Sequence, residues 1–133
     1  MASIQKQVAL PAPAEQVWDA LCDLGALHTR LVPGFVSHTE LEPDGRARLV
    51  TFANGVVARE VIVTVDAAAR RLVWSSVGGR MSHHNASAQV FPEGSGCRFV
   101  WIADLLPDEL APAISGMMEE GVSAIARKFA AAT

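Results

Sequence analysis

Glu60 is the residue whose position raises a chemical question. It lies in "AREVIVTV", a run of β-branched residues that reads as a strand, and an isolated carboxylate among such neighbours is rare. Two chemistries follow. A carboxyl held in an apolar surrounding has its charged form disfavoured, so it suits general acid/base work or the anchoring of a ligand's polar group. The plainer alternative is a carboxylate near a pocket mouth, solvated or paired with an arginine such as Arg48 or Arg59 through a twist or bulge. His84, in "SHHNASAQVF", is the second candidate. A Glu60–His84 pair would be able to move protons in an aldol-type ring closure or a dehydration, whereas a lone histidine on an apolar face is more often structural. His83 has the opposite strand parity and is expected in solvent. His28 and His38 have no carboxylate at metal-ligand spacing, so no metal is expected, and no cofactor motif is present: "GSGC" and "SVGG" are turns, not phosphate loops.

The elements that must position these groups can be read from periodicity and turn residues. "SIQKQVAL" alternates and stops at Pro11 and Pro13, giving a first strand. "PAEQVWDALCDLGAL" has Val17, Trp18 and Leu21 at helical spacing, and "ALHTRL" adds a second short helical turn before Pro33-Gly34. Six strands follow, separated by Pro43-Asp44-Gly45, Asn54-Gly55, "DAAAR", "VGG" and Pro92-Glu93-Gly94. After Pro107 the period becomes 3.6, with Leu110, Ile114, Met117 or Met118, Val122, Ile125 and Phe129 in one stripe, and Pro112 belongs in that helix's first turn. Short turns make the strands antiparallel, and a single long helix is the natural cover for one sheet face. The expected fold is α+β in two layers.

Register predicts which side chains share Glu60's face. A two-residue primed turn at Asn54-Gly55 places Leu49 opposite Glu60 and puts Arg46, Arg48 and Arg59 with Phe52 on the other, solvent-facing side. His84, Ala86, Ala88 and Val90 share one side of their strand. In "CRFVWIADLL" the inward set is either Val100, Ile102 and Asp104 or Phe99, Trp101 and Ala103, depending on turn length. Small residues inside and bulky ones at the edges suggest a cavity under the helix. Trp74 and Trp101 either line that cavity or fill it.

This arrangement resembles the helix-grip fold of the START and birch-pollen-allergen (SRPBCC) superfamily, in particular its small bacterial polyketide cyclase/dehydrase-like members. The resemblance spans nearly the whole chain and rests on "PAPAEQVWDALCDL", "VPGF", "AREVIVTVDAAARRLVWSSVGG", "SHHNASAQVFPEGSG" and "LPDEL". It implies a curved sheet of about seven strands gripping the C-terminal helix, two short helices after the first strand, and an apolar pocket between sheet and helix. In plant hormone receptors of the superfamily, residues matching Glu60, Trp74, Ala86 and Ala88 face that pocket. The small alanines here depart from their larger side chains, so their ligand does not carry over. The ligand-facing set expected on this basis is Glu60, Trp74, Ser76, His84, Ala86 and Ala88 from the sheet, with Ile114, Met117 and Met118 from the helix.

The bulk numbers narrow the partners. The chain has 133 residues, half of them hydrophobic and 19% charged, which suits one globular domain over residues 1–133. With net charge −3 and no basic run longer than Arg70-Arg71, nucleic acid is not an expected partner. No apolar run is long enough to insert in a membrane and no signal peptide is evident, so a cytoplasmic protein is expected. Cys22 and Cys97 match no zinc or redox spacing. The reading is a binding protein for a small hydrophobic molecule of lipid, polyketide or aromatic character. The alternatives are a cyclase/dehydratase-like enzyme with Glu60 as acid/base and His84 assisting, or a chaperone-activator-like interaction module, for which a mixed Arg and Val/Phe outer face including Phe52, Val57 and Val61 offers a contact or homodimer surface.

Overall fold

The computed structural model describes residues 1–130. Its elements run β1 (Ala2–Leu10), α1 (Ala14–Leu21), a π-helical turn (Leu27–Leu31), β2 (Val36–Leu41), β3 (Ala47–Phe52), β4 (Val57–Asp66), β5 (Arg71–Val77), β6 (His83–Glu93), β7 (Gly96–Leu106), a 3-10 turn (Asp108–Leu110) and α2 (Ala111–Lys128). The strands form one antiparallel sheet in the order β1-β7-β6-β5-β4-β3-β2, so the first strand crosses over to close the far edge. This is the expected α+β helix-grip architecture: a curved sheet of seven strands, two short helical segments after the first, and a long C-terminal helix.

The helices form where their apolar faces find the sheet. In α1, Val17, Trp18 and Leu21 are buried, and Arg70 at the β4–β5 turn pairs with Glu15 to tie the helix's outer side to the sheet end. Pro112 falls in the first turn of α2, where a missing N–H costs nothing. Helix α2 lies along β1, buries Met118, Val122, Ala124 and Ile125, and joins Lys6 to Glu119 at 3.2 Å.

One expectation about register is corrected. Arg48, not Leu49, stands opposite Glu60, because Ala53, Asn54 and Gly55 form a three-residue connection with a Phe52 N–H to Val56 carbonyl bond of 2.8 Å. A two-residue primed turn needs positive φ at both central residues; Gly55 has φ 90°, but Asn54 is not among the positive-φ residues and instead accepts the Val56 N–H on its side chain. The slip of one residue turns β3 over. Arg48 and Val50 therefore point inward, at 2% and 0% exposure. Phe52 also leaves the outer face: its ring meets that of Phe35 edge-on, with centroids 5.3 Å apart.

The open choice on β7 is settled for the second set: Glu93 pairs with Gly96, Phe99 and Ala103 are buried with Cys97 and Leu105, and Trp101 of the same parity meets Gly121 of α2.

Candidate functional site

The concave face of the sheet has two unlike halves. On β3, β4 and β5 a polar row crosses it, Arg48–Glu60–Ser76 in direct register. Oε1 of Glu60 accepts from Nε of Arg48 at 3.0 Å and lies 3.0 Å from its second terminal nitrogen. The remaining Arg48 terminal nitrogen donates to the Leu24 carbonyl at 3.2 Å. That last bond explains why so costly a pair is here at all. It fixes the α1–π-turn connection to the sheet, and a guanidinium this buried needs a carboxylate beside it. Glu60 faces inward as expected, but in the paired form.

His84 faces the same side and its ring is committed elsewhere. The backbone ladder between β5 and β6 runs from Arg71–Gln89 to Trp74–Ala86 and stops. Beyond it, side chains replace the ladder: the Ser75 hydroxyl donates to the His84 carbonyl, and the Ser76 N–H donates to His84 Nδ1 at 2.9 Å. Burial, with the neighbouring His83 adding to it, lowers the His84 pKa against the weaker opposing pull of Asp104. The ring is thus held neutral with Nδ1 as an acceptor. No hydrogen bond joins Glu60 to His84 among the described residues, so the structure does not assemble them into a proton-transfer pair. Among the described residues no group of three or more His, Cys, Asp or Glu is placed to hold a metal ion.

The other half, on β5, β6 and β7, is apolar. Ala86, Ala88 and Ala103 lie almost fully buried on its floor. Trp74 on β5 is opposite Ala86, and Trp101 on β7 is opposite Ala88. Strands two apart in a sheet are separated by about 9.6 Å, yet the two indole centroids are only 6.2 Å apart. The rings therefore lean toward one another across β6, and the alanines are what leaves them the space. The volume that small residues were expected to leave empty is roofed by tryptophan. A third small residue makes the same accommodation from above. A Cβ on Gly121 of α2 would stand 2.7 Å from Trp101 Cζ3 and 3.2 Å from a Phe35 ring carbon, so only glycine lets the helix backbone rest on these rings.

Side chains that point into the grip but stay half-buried mark where it is open: Phe35, Phe52, Ile62, Trp101, Ile114 and Met117. A groove of about 330 Å³ runs between α2 and the loop before β2, lined by Gly34, Phe35, Glu119, Glu120, Ser123 and Arg127. A smaller hollow of about 60 Å³ continues from it, past Phe35 and Phe52, to Met117 and the β3–β4 turn. Of the expected ligand-facing residues, Met117 is on this opening and Ile114 is half-buried one turn earlier, while Met118 is packed into the core at 1% exposure. Phe35, Phe52 and Gly121 were not in that set. The "VPGF" segment carried a signal for Phe35, but Phe52 was lost with the register, and nothing in a lone helical glycine reveals what it touches.

Three buried polar atoms have no partner among the described residues: His28 Nδ1, Thr39 Oγ1 and Trp101 Nε1. A donor left so costs about 1–3 kcal/mol. His28 and Thr39 belong to the π-turn and β2, with the His28 ring 5.6 Å from that of His38. Only Trp101 is on the apolar half, where its ring meets Gly121 beside Phe35.

Across residues 1–132 the chain matches the family described as polyketide cyclase / dehydrase and lipid transport, and it belongs to that family. No curated protein matches the sequence. Among solved structures it is similar to the protein XoxI from Bacillus cereus, at 19% identity and a TM-score of 0.87 over 97% of this chain and 96% of that one. It is also similar to norcoclaurine synthase from Thalictrum flavum, a point mutant in complex with a transition-state analogue, at 22% identity and a TM-score of 0.73 over 95% and 92% of the two chains. The di-domain aromatase/cyclase BexL of the BE-7585A biosynthetic pathway is 15% identical with a TM-score of 0.82, covering 96% of this chain and 46% of that one. At these identities the likeness is one of fold. No helix among the described residues is long and apolar enough to cross a membrane.

Proposed function

We propose that this protein binds a small, flat hydrophobic molecule between α2 and the apolar half of its sheet, taken in through the groove beside Phe35. The observation that carries this reading is the set of apolar side chains that face inward yet stay half-exposed, with Phe35, Phe52 and Met117 bordering the opening. A core that served folding alone would bury them. The family description, which joins cyclases with lipid transport, agrees with an apolar occupant. Rings already lining the opening favour a planar partner.

The magnitude is instructive. An occupant burying about 200 Å² of apolar surface gains roughly 5 kcal/mol, a Kd of roughly 0.2 mM before ordering costs. Native mass spectrometry of protein purified without detergent, with a tryptophan-fluorescence titration by fluorene, tests the reading. Either a defined added mass or saturable quenching is expected. No added mass together with no saturable quenching would overturn it.

The enzymatic alternative, a cyclase or dehydratase using Glu60 and His84, finds less support, since one is engaged by Arg48 and the other by Ser76. The observation in its favour is the second carboxylate oxygen of Glu60, which takes no hydrogen bond from the described residues. Turnover of a linear poly-β-ketone thioester that disappears in Glu60→Gln would establish it.

A further inference from the structure

We infer that Trp101 is a ligand-recognition residue, and that the occupant of the cleft carries a hydrogen-bond acceptor, a carbonyl or ether oxygen, which the indole N–H meets. This rests on the proposed binding reading and adds to it the chemical class of the ligand. Four observations converge on this ring. It lies against Gly121 of α2 from the middle of β7. It keeps part of its surface exposed while its neighbours Ala88 and Ala103 are buried. Its six-membered ring lies against Gly121, where Phe35 also arrives, and Phe35 in turn lines the groove. Its Nε1 is buried with no acceptor among the described residues.

An indole at a position satisfied by packing alone has no need of its nitrogen. Gly121 receives the ring's carbon edge at Cζ3 and Cη2, and a phenylalanine there would strand no donor. A ligand with only apolar surface would leave the N–H unpaired. One that brings an oxygen acceptor removes the penalty and gains a bond in a surrounding where water does not compete. The acceptor, not the apolar surface, then decides which flat molecules are held.

Fluorene and 9-fluorenone are matched probes, equal in outline and differing by one carbonyl. Partition alone favours fluorene, the less polar of the two, so an inverted preference is diagnostic. Wild-type protein is expected to bind 9-fluorenone about five- to tenfold tighter than fluorene. Trp101→Phe is expected to abolish that preference, and Trp74→Phe to retain it. In ¹⁵N-labelled wild-type protein, which needs no variant, one of the three indole N–H resonances is expected to move downfield with 9-fluorenone and not with fluorene. Equal binding of the two probes, or a preference that survives in Trp101→Phe, overturns the inference and leaves the binding reading standing. If neither probe binds and native mass spectrometry shows no added mass, both fall together.

Discussion

The two halves of the concave face treat their polar groups in opposite ways. Where β3, β4 and β5 meet the α1–π-turn connection, Arg48 spends its donors on Glu60 and on the Leu24 carbonyl. Where Trp101 of β7 lies against Gly121 of α2, the indole has a donor with no partner among the described residues. The first arrangement closes a structure; the second leaves one open to an outside acceptor. On the proposed reading, a buried charge is a poorer guide to the binding region than an uncharged N–H. Depth alone does not separate them, since Glu60 is more buried than Trp101.

The sharpest way to break this contrast is to attack the ion pair. Arg48→Met leaves Glu60 buried without its partner and is expected to cost about 3–5 kcal/mol in urea unfolding, whereas Arg48→Met with Glu60→Met recovers most of the loss. If the single variant costs less than about 1 kcal/mol, the pair is not what fastens the connection to the sheet. A smaller effect is expected at the apolar end. Gly121→Ala drives a methyl group into Trp101 and Phe35 and is expected to destabilise by about 1–3 kcal/mol, with a changed near-ultraviolet circular dichroism spectrum and weakened fluorene binding. Unchanged tryptophan signals would mean that the rings do not rest on the helix.

The smallest effect belongs to the seam between the halves. The His84 pKa is lowered by folding from an ordinary value near 6.5. Between the folded and unfolded values the unfolded chain holds more protons, so stability is greatest above about pH 6.5 and falls as pH drops below it. Urea midpoints at pH 7.5 and 5.5 should differ in that sense, and His84→Asn, whose side-chain oxygen still accepts the Ser76 N–H, should reduce the difference. A slope unchanged by the substitution would assign the effect to other groups.

The sequence was informative wherever a signal was local. Alternation, turn residues and the 3.6-residue stripe of α2 located every strand and both α-helices, and the parity of β6 placed His84, Ala86 and Ala88 on the face they occupy. It failed where one residue's φ decided a strand. Asn-Gly favours a two-residue hairpin connection, but Asn54 keeps negative φ and lets its side chain cap the turn, so β3 turned over and carried Arg48 inward. The partner of Glu60 was thus among the arginines weighed for it, reached by register rather than by a bulge. Occupied volume was the other thing hidden. Alanines on a strand announce space, but whether it is filled depends on how far a tryptophan on another strand leans, which pattern along the chain does not encode.

That strip of alanines has a consequence for how such an interior changes over time. Because Ala86, Ala88 and Ala103 keep the floor low, the room above it is set by the rings over it, Trp74 and Trp101 among them. Two substitutions, neither touching backbone hydrogen bonds, would turn a nearly closed interior into a wide one. Room for a larger occupant would then call for a change of side chains rather than of architecture.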